Sequence, residues 1–234
     1  MTENQPIGSP DAIERSLGLP GGMLMRLLND GDDWSFMIQG HALVEAAVNH
    51  LLVATLACPS ISEAIAHLEL SNVRTGKLAL VAQMDLLPKP HRRFVRAFSE
   101  LRNTLVHDVQ KVGFRFDEYL GAMSPEQRKA FRESFGGIFS QSSGPRRTAF
   151  RRMTDASPRL LVWSSLLIVV ALCYASKELA ELGRKKAELD SAIAEHDSDS
   201  TGLAKALMQE MVAGLSEHGH WTVRVAKQNR DRAT

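Results

Sequence analysis

The chain has 234 residues, a formal net charge of +1, 44% apolar residues and only 6% aromatic residues. This length allows one large domain or two small ones, and the near-neutral charge excludes a protein that binds polyanions over its whole surface. We interpret the two cysteines, Cys58 and Cys173, as buried thiols in a reducing, cytoplasmic setting, because a disulfide scaffold or a zinc site needs more of them. The N-terminus has neither the basic start nor the apolar core of a signal peptide.

Apolar spacing and helix-breaking residues predict helices along the whole chain, and therefore an all-α fold. Residues 1–31 are expected to form a leader with short helices, residues 32–195 the main helical domain, and residues 196–234 a last helix followed by a basic tail. In chain order, the predicted helices cover residues 32–57, 62–70, 73–87, 91–112, a short stretch from 124, 158–195 and 201–217. A basic loop, residues 140–157, is inserted before the long apolar helix.

Residues 160–176 carry no charge and are just long enough to be tested as a membrane span. Two serines and a tyrosine interrupt the run, and helical spacing continues beyond it. We therefore expect the central helix of a soluble bundle, apolar on all sides, and no membrane contact. A single membrane span at 160–176 is the alternative.

The helix predicted at 91–112 has two distinct faces, since an α-helix turns about 100° per residue. Its core face is predicted to contain four large apolar residues, Phe94, Phe98, Leu101 and Leu105. A polar stripe is predicted on the opposite side, formed by Arg92, Arg96, Ser99, Asn103 and His107. This stripe is the strongest candidate binding surface in the sequence.

Arg102 falls at the edge of the apolar face, where a guanidinium group cannot lose its charge and needs a carboxylate or a phosphate. We expect Glu45, at the edge of the apolar stripe of the first long helix, to be its partner. An arginine, an asparagine and a histidine at this spacing suit metal-free RNA cleavage. In that chemistry His107 would act as acid or base, Arg102 would stabilise the charged phosphate, and Asn103 would orient the phosphate or ribose. One histidine does not easily serve as both acid and base, which favours two copies at a dimer interface.

The segment LRNTLVHD, residues 101–108, resembles the Arg-Asn-x-x-x-His motif of the HEPN superfamily. The resemblance extends over about residues 33–185, in the order SFMIQGHALVEAAVNHLL, KLALVAQMDLL, the motif helix, VGFRFDE and a late apolar helix. This layout is similar to the mannitol operon repressor branch of that superfamily. The resemblance implies a bundle of four to five helices that dimerises, and places Arg102, Asn103 and His107 in a cleft between the two copies.

The motif departs from one branch of that superfamily. HEPN toxins controlled by nucleotidyltransferase antitoxins carry a tyrosine two residues after the histidine, whereas this chain has Val109. AMP transfer to that tyrosine is therefore excluded here.

The leading hypothesis is a metal-independent endoribonuclease of HEPN type, a toxin or defence effector without a cofactor, with RNA and a regulatory or antitoxin protein as partners. RNA-binding residues are predicted at Arg92, Arg96, Arg146 and Arg147. The alternative is a non-catalytic transcriptional regulator of the mannitol operon repressor type, which acts through protein–protein contacts. His218 and His220 lack a third ligand nearby, so no metal site is expected.

Overall fold

The computed structural model describes residues 10–141, 148, 156–195 and 208–210. Every regular element among these residues is a helix, which confirms the predicted all-α class. The chain divides into two compact units, Met1–Glu178 and Leu179–Thr234. The predicted RNA-binding residues Arg146 and Arg147 lie outside the described residues, as do the pair His218 and His220 and most of the helix predicted at 201–217.

Helices are numbered in chain order across the described residues. They are α1 (Pro10–Ser16), α2 (Met23–Asn29), α3 (Asp33–Leu56), α4 (Ser62–His67), α5 (Lys77–Gln83), α6 (Lys89–Val106), α7 (Phe116–Gly121), α8 (Pro125–Phe135) and α9 (Pro158–Glu195). Short 3₁₀ turns occur at Pro59–Ile61, Val109–Lys111 and Gly137–Gln141.

Helix α3 begins and ends where its sequence predicts. The side chain of Asp32 accepts a hydrogen bond from the backbone N–H of Ser35 at 2.7 Å and caps the first turn. Ala57 adopts a left-handed conformation, with φ of 53°, and ends the helix directly before the Pro59 turn.

Helix α5 is shorter than the predicted 73–87. The side chain of Asn72 accepts hydrogen bonds from the backbone N–H groups of Arg74 and Thr75, so this segment forms a turn rather than a helix. A Cβ atom at Gly76 would lie 2.2 Å from the backbone oxygen of Glu69, so only glycine fits this close approach. At the other end Asp85 has a positive φ of 50° and stops the helix.

The core of the first unit forms where α3, α6, α8 and α9 pack together. The rings of Phe94 and Phe98 stack at 5.4 Å, and the ring of Phe135 meets Phe94 edge-on at 5.9 Å. Gly40 of α3 permits a close helix approach, because a Cβ atom there would lie 2.7 Å from the Cδ1 atom of Leu166. These contacts set α6 firmly between α3 and α8.

Helix α9 has the predicted bounds, 158–195, but the predicted burial on all sides is wrong. One face lies in the core and includes Leu161, Val162, Ser165, Leu166, Val169, Val170 and Cys173. On the other side Leu167, Ile168 and Leu172 are only half-buried. By length and composition this helix could cross a membrane, and 39% of its most apolar window is buried inside the protein.

The first turn of α3 is tied to two distant helices. The Asp33 carboxylate accepts a hydrogen bond from the backbone N–H of Phe116 at 2.8 Å and pairs with the Arg159 guanidinium at 3.3 Å. Arg159 also donates to the backbone oxygens of Leu27 at 2.9 Å and Asp30 at 2.7 Å. The backbone around residues 32–35 is therefore held in place from several sides.

The expectation that both cysteines are buried is half wrong. Cys173 is buried in the core face of α9, and burial raises the pKa of its thiol to about 12. Cys58 is exposed, because it lies in the loop that follows the end of α3.

Candidate active site at the end of helix α6

His107 is the C-cap residue of α6, directly after its last helical residue, Val106. Its backbone N–H donates to the backbone oxygen of Asn103 at 3.2 Å, and the next residue, Asp108, is extended. The prediction that this helix continues to residue 112 is wrong, because the side chain of Asp108 accepts from the backbone N–H of Gln110 and starts a separate 3₁₀ turn. The His107 side chain is consequently exposed, and it makes no hydrogen bond to any described residue.

The predicted core face of α6 is confirmed, since Phe94, Phe98, Leu101 and Leu105 are all buried. The predicted place of Ser99 on the outward stripe is wrong. Ser99 is 1% exposed, and its hydroxyl lies 3.1 Å from the Nε2 atom of His41 on α3. This hydrogen bond offsets the cost of burying a polar group that the helical pattern alone assigns to solvent.

Arg102 is half-buried and has no acidic partner in the part of the chain that the structure describes. Its Nη1 atom donates to the Oδ1 atom of Asn103 at 3.0 Å, while its Nε atom is buried with no hydrogen-bond partner. Within the described part of the chain no carboxylate lies within salt-bridge distance of this guanidinium. Among the described residues, Arg102 is therefore a cation beside the edge of α6 with no acidic counter-charge.

The expected ion pair between Arg102 and Glu45 does not form. The Glu45 carboxylate instead accepts from the ammonium group of Lys77 at 2.5 Å, and its second oxygen lies 3.8 Å from the Nδ1 atom of His41. Lys77 is 0% exposed, so its charge requires a nearby carboxylate more strongly than the half-exposed Arg102 does. Sequence reasoning missed Lys77 because lysine on a short helix is ordinarily exposed.

His41 lies beside this charged group but is not available for proton transfer to a ligand. It is 6% exposed, and its Nε2 atom is hydrogen-bonded to the hydroxyl of Ser99. Burial, and after it the positive charge of Arg102, lowers the pKa of His41. The neutral ring therefore belongs to the packing between α3 and α6.

Arg92 and Arg96, the two predicted RNA-binding arginines on α6, each form an ion pair with a carboxylate. Arg96 donates to the Glu100 carboxylate at 2.8 Å on the exposed surface, and Arg92 lies 3.8 Å from the Asp85 carboxylate. Arg93, which the sequence pattern did not single out, is exposed and forms no ion pair with any described residue. Exposed ion pairs are weak, so Arg96 and Arg93 remain able to contact a phosphate, whereas Arg92 is only 25% exposed and its Nη1 atom is buried.

Trp34 was also missed by sequence reasoning. Its indole N–H donates to the backbone oxygen of Leu105 at 3.4 Å, in the last turn of α6. The only sequence signal is its spacing with Ile38 and His41, which places all three on the side of α3 that faces α6.

A cleft among the described residues lies apart from the motif. It has a volume of about 400 Å³ and is open to solvent. Its lining consists of Asp117, Leu120, Gly121, Arg128, Phe131, Arg132, Pro158 and Leu161. None of the motif residues contributes to it.

The polar residues of the motif lie together at one end of α6. A positive charge, an amide and an exposed histidine lie within about one and a half turns of α6, since Arg102 and His107 are five residues apart. Among the described residues there is no cluster of three or more metal-ligating side chains. The arrangement suits acid–base chemistry on a phosphate, with a single accessible histidine at the motif.

Comparison of this chain with protein-family models, with curated proteins and with solved structures yields no match.

Proposed function

We propose that the chain is a metal-independent endoribonuclease of the HEPN type. The observation that supports this most is the state of Arg102, a guanidinium without an acidic partner among the described residues, five residues before the exposed His107 at the end of the same helix. A structural arginine at the edge of a core is normally neutralised by a carboxylate. A phosphate diester would supply the missing negative charge and accept the paired N–H groups of the guanidinium.

The reaction that these groups suit is transesterification of RNA. The ribose 2′-hydroxyl gives its proton to a base and attacks phosphorus, and the bond from phosphorus to the 5′-oxygen breaks. The leaving 5′-oxygen takes a proton from an acid, so the products are a 2′,3′-cyclic phosphate and a free 5′-hydroxyl. Arg102 stabilises the charge on the phosphorane, and Asn103 holds both the guanidinium and a phosphate or ribose oxygen.

A second copy of the chain completes the site in this proposal. The base and the acid must act in one step, while His41 is buried and only His107 is accessible at the motif. An apolar ridge directly beside the motif, formed by Val106, Val109 and Val112, is 37%, 84% and 53% exposed. Pairing two such ridges would bury them and bring together the two His107 side chains, one as base and one as acid.

The biological setting follows as part of the same proposal. An enzyme that cuts RNA without a cofactor harms its own cell unless it is restrained. A toxin or defence effector held by a regulatory or antitoxin protein fits this requirement.

The test compares purified wild type with the variant His107→Ala on a mixed-sequence RNA in excess EDTA. We expect the variant to cleave at least ~100-fold more slowly, because it loses both acid and base. His67→Ala is the matched control, since His67 is exposed on α4 away from the motif. Equal rates for wild type and His107→Ala would overturn the assignment of His107.

The same valine ridge also favours a second candidate function. A non-catalytic regulator of the mannitol operon repressor type would use Val106, Val109 and Val112 to bind another protein. This alternative gains if well-folded wild type cleaves none of a diverse set of RNAs and if Val109→Ser abolishes capture of one defined partner protein.

A further inference from the structure

Trp34 is a partly buried aromatic side chain that packs against the hydrophobic core at the motif end of α6 and keeps part of its surface exposed. Its N–H bonds the backbone oxygen of Leu105, which lies between Arg102 and His107 in the sequence. Leu105 is three residues, or nearly one turn, after Arg102 and two residues before His107. The indole therefore stands at the same end of the helix as both reactive side chains.

Side-chain contacts of Asp32 and Asp33 hold the backbone next to Trp34 at several points. Asp32 caps the first turn of α3, and Asp33 bonds both the backbone N–H of Phe116 and the Arg159 guanidinium. The hydrogen bond to Leu105 then fixes the indole itself. A ring held in this way loses little conformational freedom when a flat ligand stacks on it.

We infer that Trp34 is a base-stacking residue that selects unpaired, single-stranded RNA for cleavage at the motif; this inference rests on the proposed ribonuclease function. Arg102 lies three residues before Leu105, the hydrogen-bond partner of Trp34, so in this proposal the base next to a phosphate held by Arg102 stacks on the indole. Stacking on that ring needs a base whose face is free, whereas both faces of a base in a duplex are covered by its neighbours. In this proposal α3 contributes Trp34 as an RNA contact, in addition to its residues in the core.

A purely structural role for Trp34 gives a different outcome. Leu105 is in the last turn of α6, where backbone oxygens lack a partner within the helix, so the indole N–H also caps the helix. If capping is its whole role, Trp34→Phe and Trp34→Leu both lose the N–H and both lower stability, without any effect that depends on RNA. If stacking is its role, Trp34→Phe keeps a flat ring and retains most of the RNA affinity.

The experiment measures RNA affinity in a His107→Ala background, which prevents cleavage. The probes are a short mixed-sequence RNA, as a single strand and as a perfect duplex. We expect Trp34→Leu to weaken single-strand binding ~10-fold or more, because loss of one stacking contact has an effect of this order, and to leave duplex binding unchanged. Trp34→Phe should stay within about threefold of the parent.

Trp163→Leu is the matched control. Its indole is also partly buried and also donates to a backbone oxygen, that of Leu24, at 2.9 Å. Trp163→Leu should lower the midpoint of thermal unfolding without changing RNA affinity. Thermal midpoints of all variants confirm that each is folded at the temperature of the binding assay.

The failures are distinguishable. If the parent binds the single strand and wild type cleaves it, but Trp34→Leu binds as tightly as the parent, the stacking role alone is overturned. If Trp34→Leu weakens single-strand and duplex binding equally, selection of unpaired RNA is overturned. If the parent binds no RNA and wild type cleaves none, the proposed function fails and the stacking role fails with it.

Discussion

Replacing Glu45 with alanine would leave the ammonium group of Lys77 buried without its counter-charge. Lys77 is 0% exposed, and its only other side-chain hydrogen bond to a described residue is to the backbone oxygen of Ala66 at 3.2 Å. Removing one partner of a buried ion pair costs about 3–5 kcal/mol, because the remaining charge is unpaired in a poorly solvated place. For a chain of this length that corresponds to a fall in Tm of about 10 °C.

The reverse substitution should cost much less. In Lys77→Met the carboxylate of Glu45 is 34% exposed and can be hydrated by water, so we expect a loss of only about 1 kcal/mol. The double variant Glu45→Ala/Lys77→Met should be close to Lys77→Met alone, which gives a coupling energy of several kcal/mol in a double-mutant cycle.

Urea unfolding of the four proteins, followed by far-ultraviolet circular dichroism, measures these differences. Glu100→Ala is the control, because it breaks the exposed pair with Arg96 and should change stability by about 0.5 kcal/mol or less. If Glu45→Ala is as mild as Glu100→Ala, or if Lys77→Met is the more destabilising of the two single variants, the buried charge of Lys77 does not depend on Glu45.

Three further predictions concern other buried groups. Burial lowers the pKa of His41, so the unfolded chain binds more protons than the folded chain below about pH 6.5. The free energy of unfolding, measured in urea titrations, should therefore fall as the pH drops from there. The fall should be shallower in His41→Gln. Gly40→Ala should lose about 1–3 kcal/mol on urea unfolding, because its Cβ would lie 2.7 Å from Leu166 Cδ1. A thiol reagent at neutral pH should label the exposed Cys58 quickly and Cys173 only after denaturation, as read by mass spectrometry of the intact chain.

Each of these predictions has its own control. His50 and His91 also have pKa values lowered by burial, so His41→Gln keeps part of the pH dependence, and an unchanged slope would contradict the account. Gly183→Ala in α9 meets nothing within 4 Å and should not destabilise, so an equal loss in both glycine variants would refute the close-contact argument. Equally rapid labelling of both thiols would show that the α9 face is open.

Local signals in the sequence were sufficient for most helix limits. Asp32 and Ser124 cap the helices that they were expected to start, and Pro158–Glu195 matches the predicted long helix. These limits depend on residues within one turn of each other, which a single sequence contains. Asp108 shows where such reasoning fails, because its side chain can bond the backbone in a helix or outside it. Here it starts a separate 3₁₀ turn, and α6 ends six residues before the expected residue 112.

The partners of the polar side chains could not be predicted in the same way. The pattern of α6 assigned Ser99 to solvent and Arg102 to Glu45, but both assignments depend on which helix covers which side. Lys77 of α5, 32 residues along the chain from Glu45, forms the ion pair with the Glu45 carboxylate instead. Such contacts are set by tertiary packing, and the periodicity of a single helix does not contain them.

We propose that this chain cuts RNA without a metal at a site that contains Arg102 and His107. The most direct test is the chemical nature of the product ends after wild type is incubated with mixed-sequence RNA, with and without excess EDTA. We expect cleavage in EDTA that leaves 2′,3′-cyclic phosphate and 5′-hydroxyl ends and that is lost in His107→Ala. Absence of cleavage by folded wild type, or cleavage that leaves 5′-phosphate ends and occurs only without EDTA, would overturn the proposal.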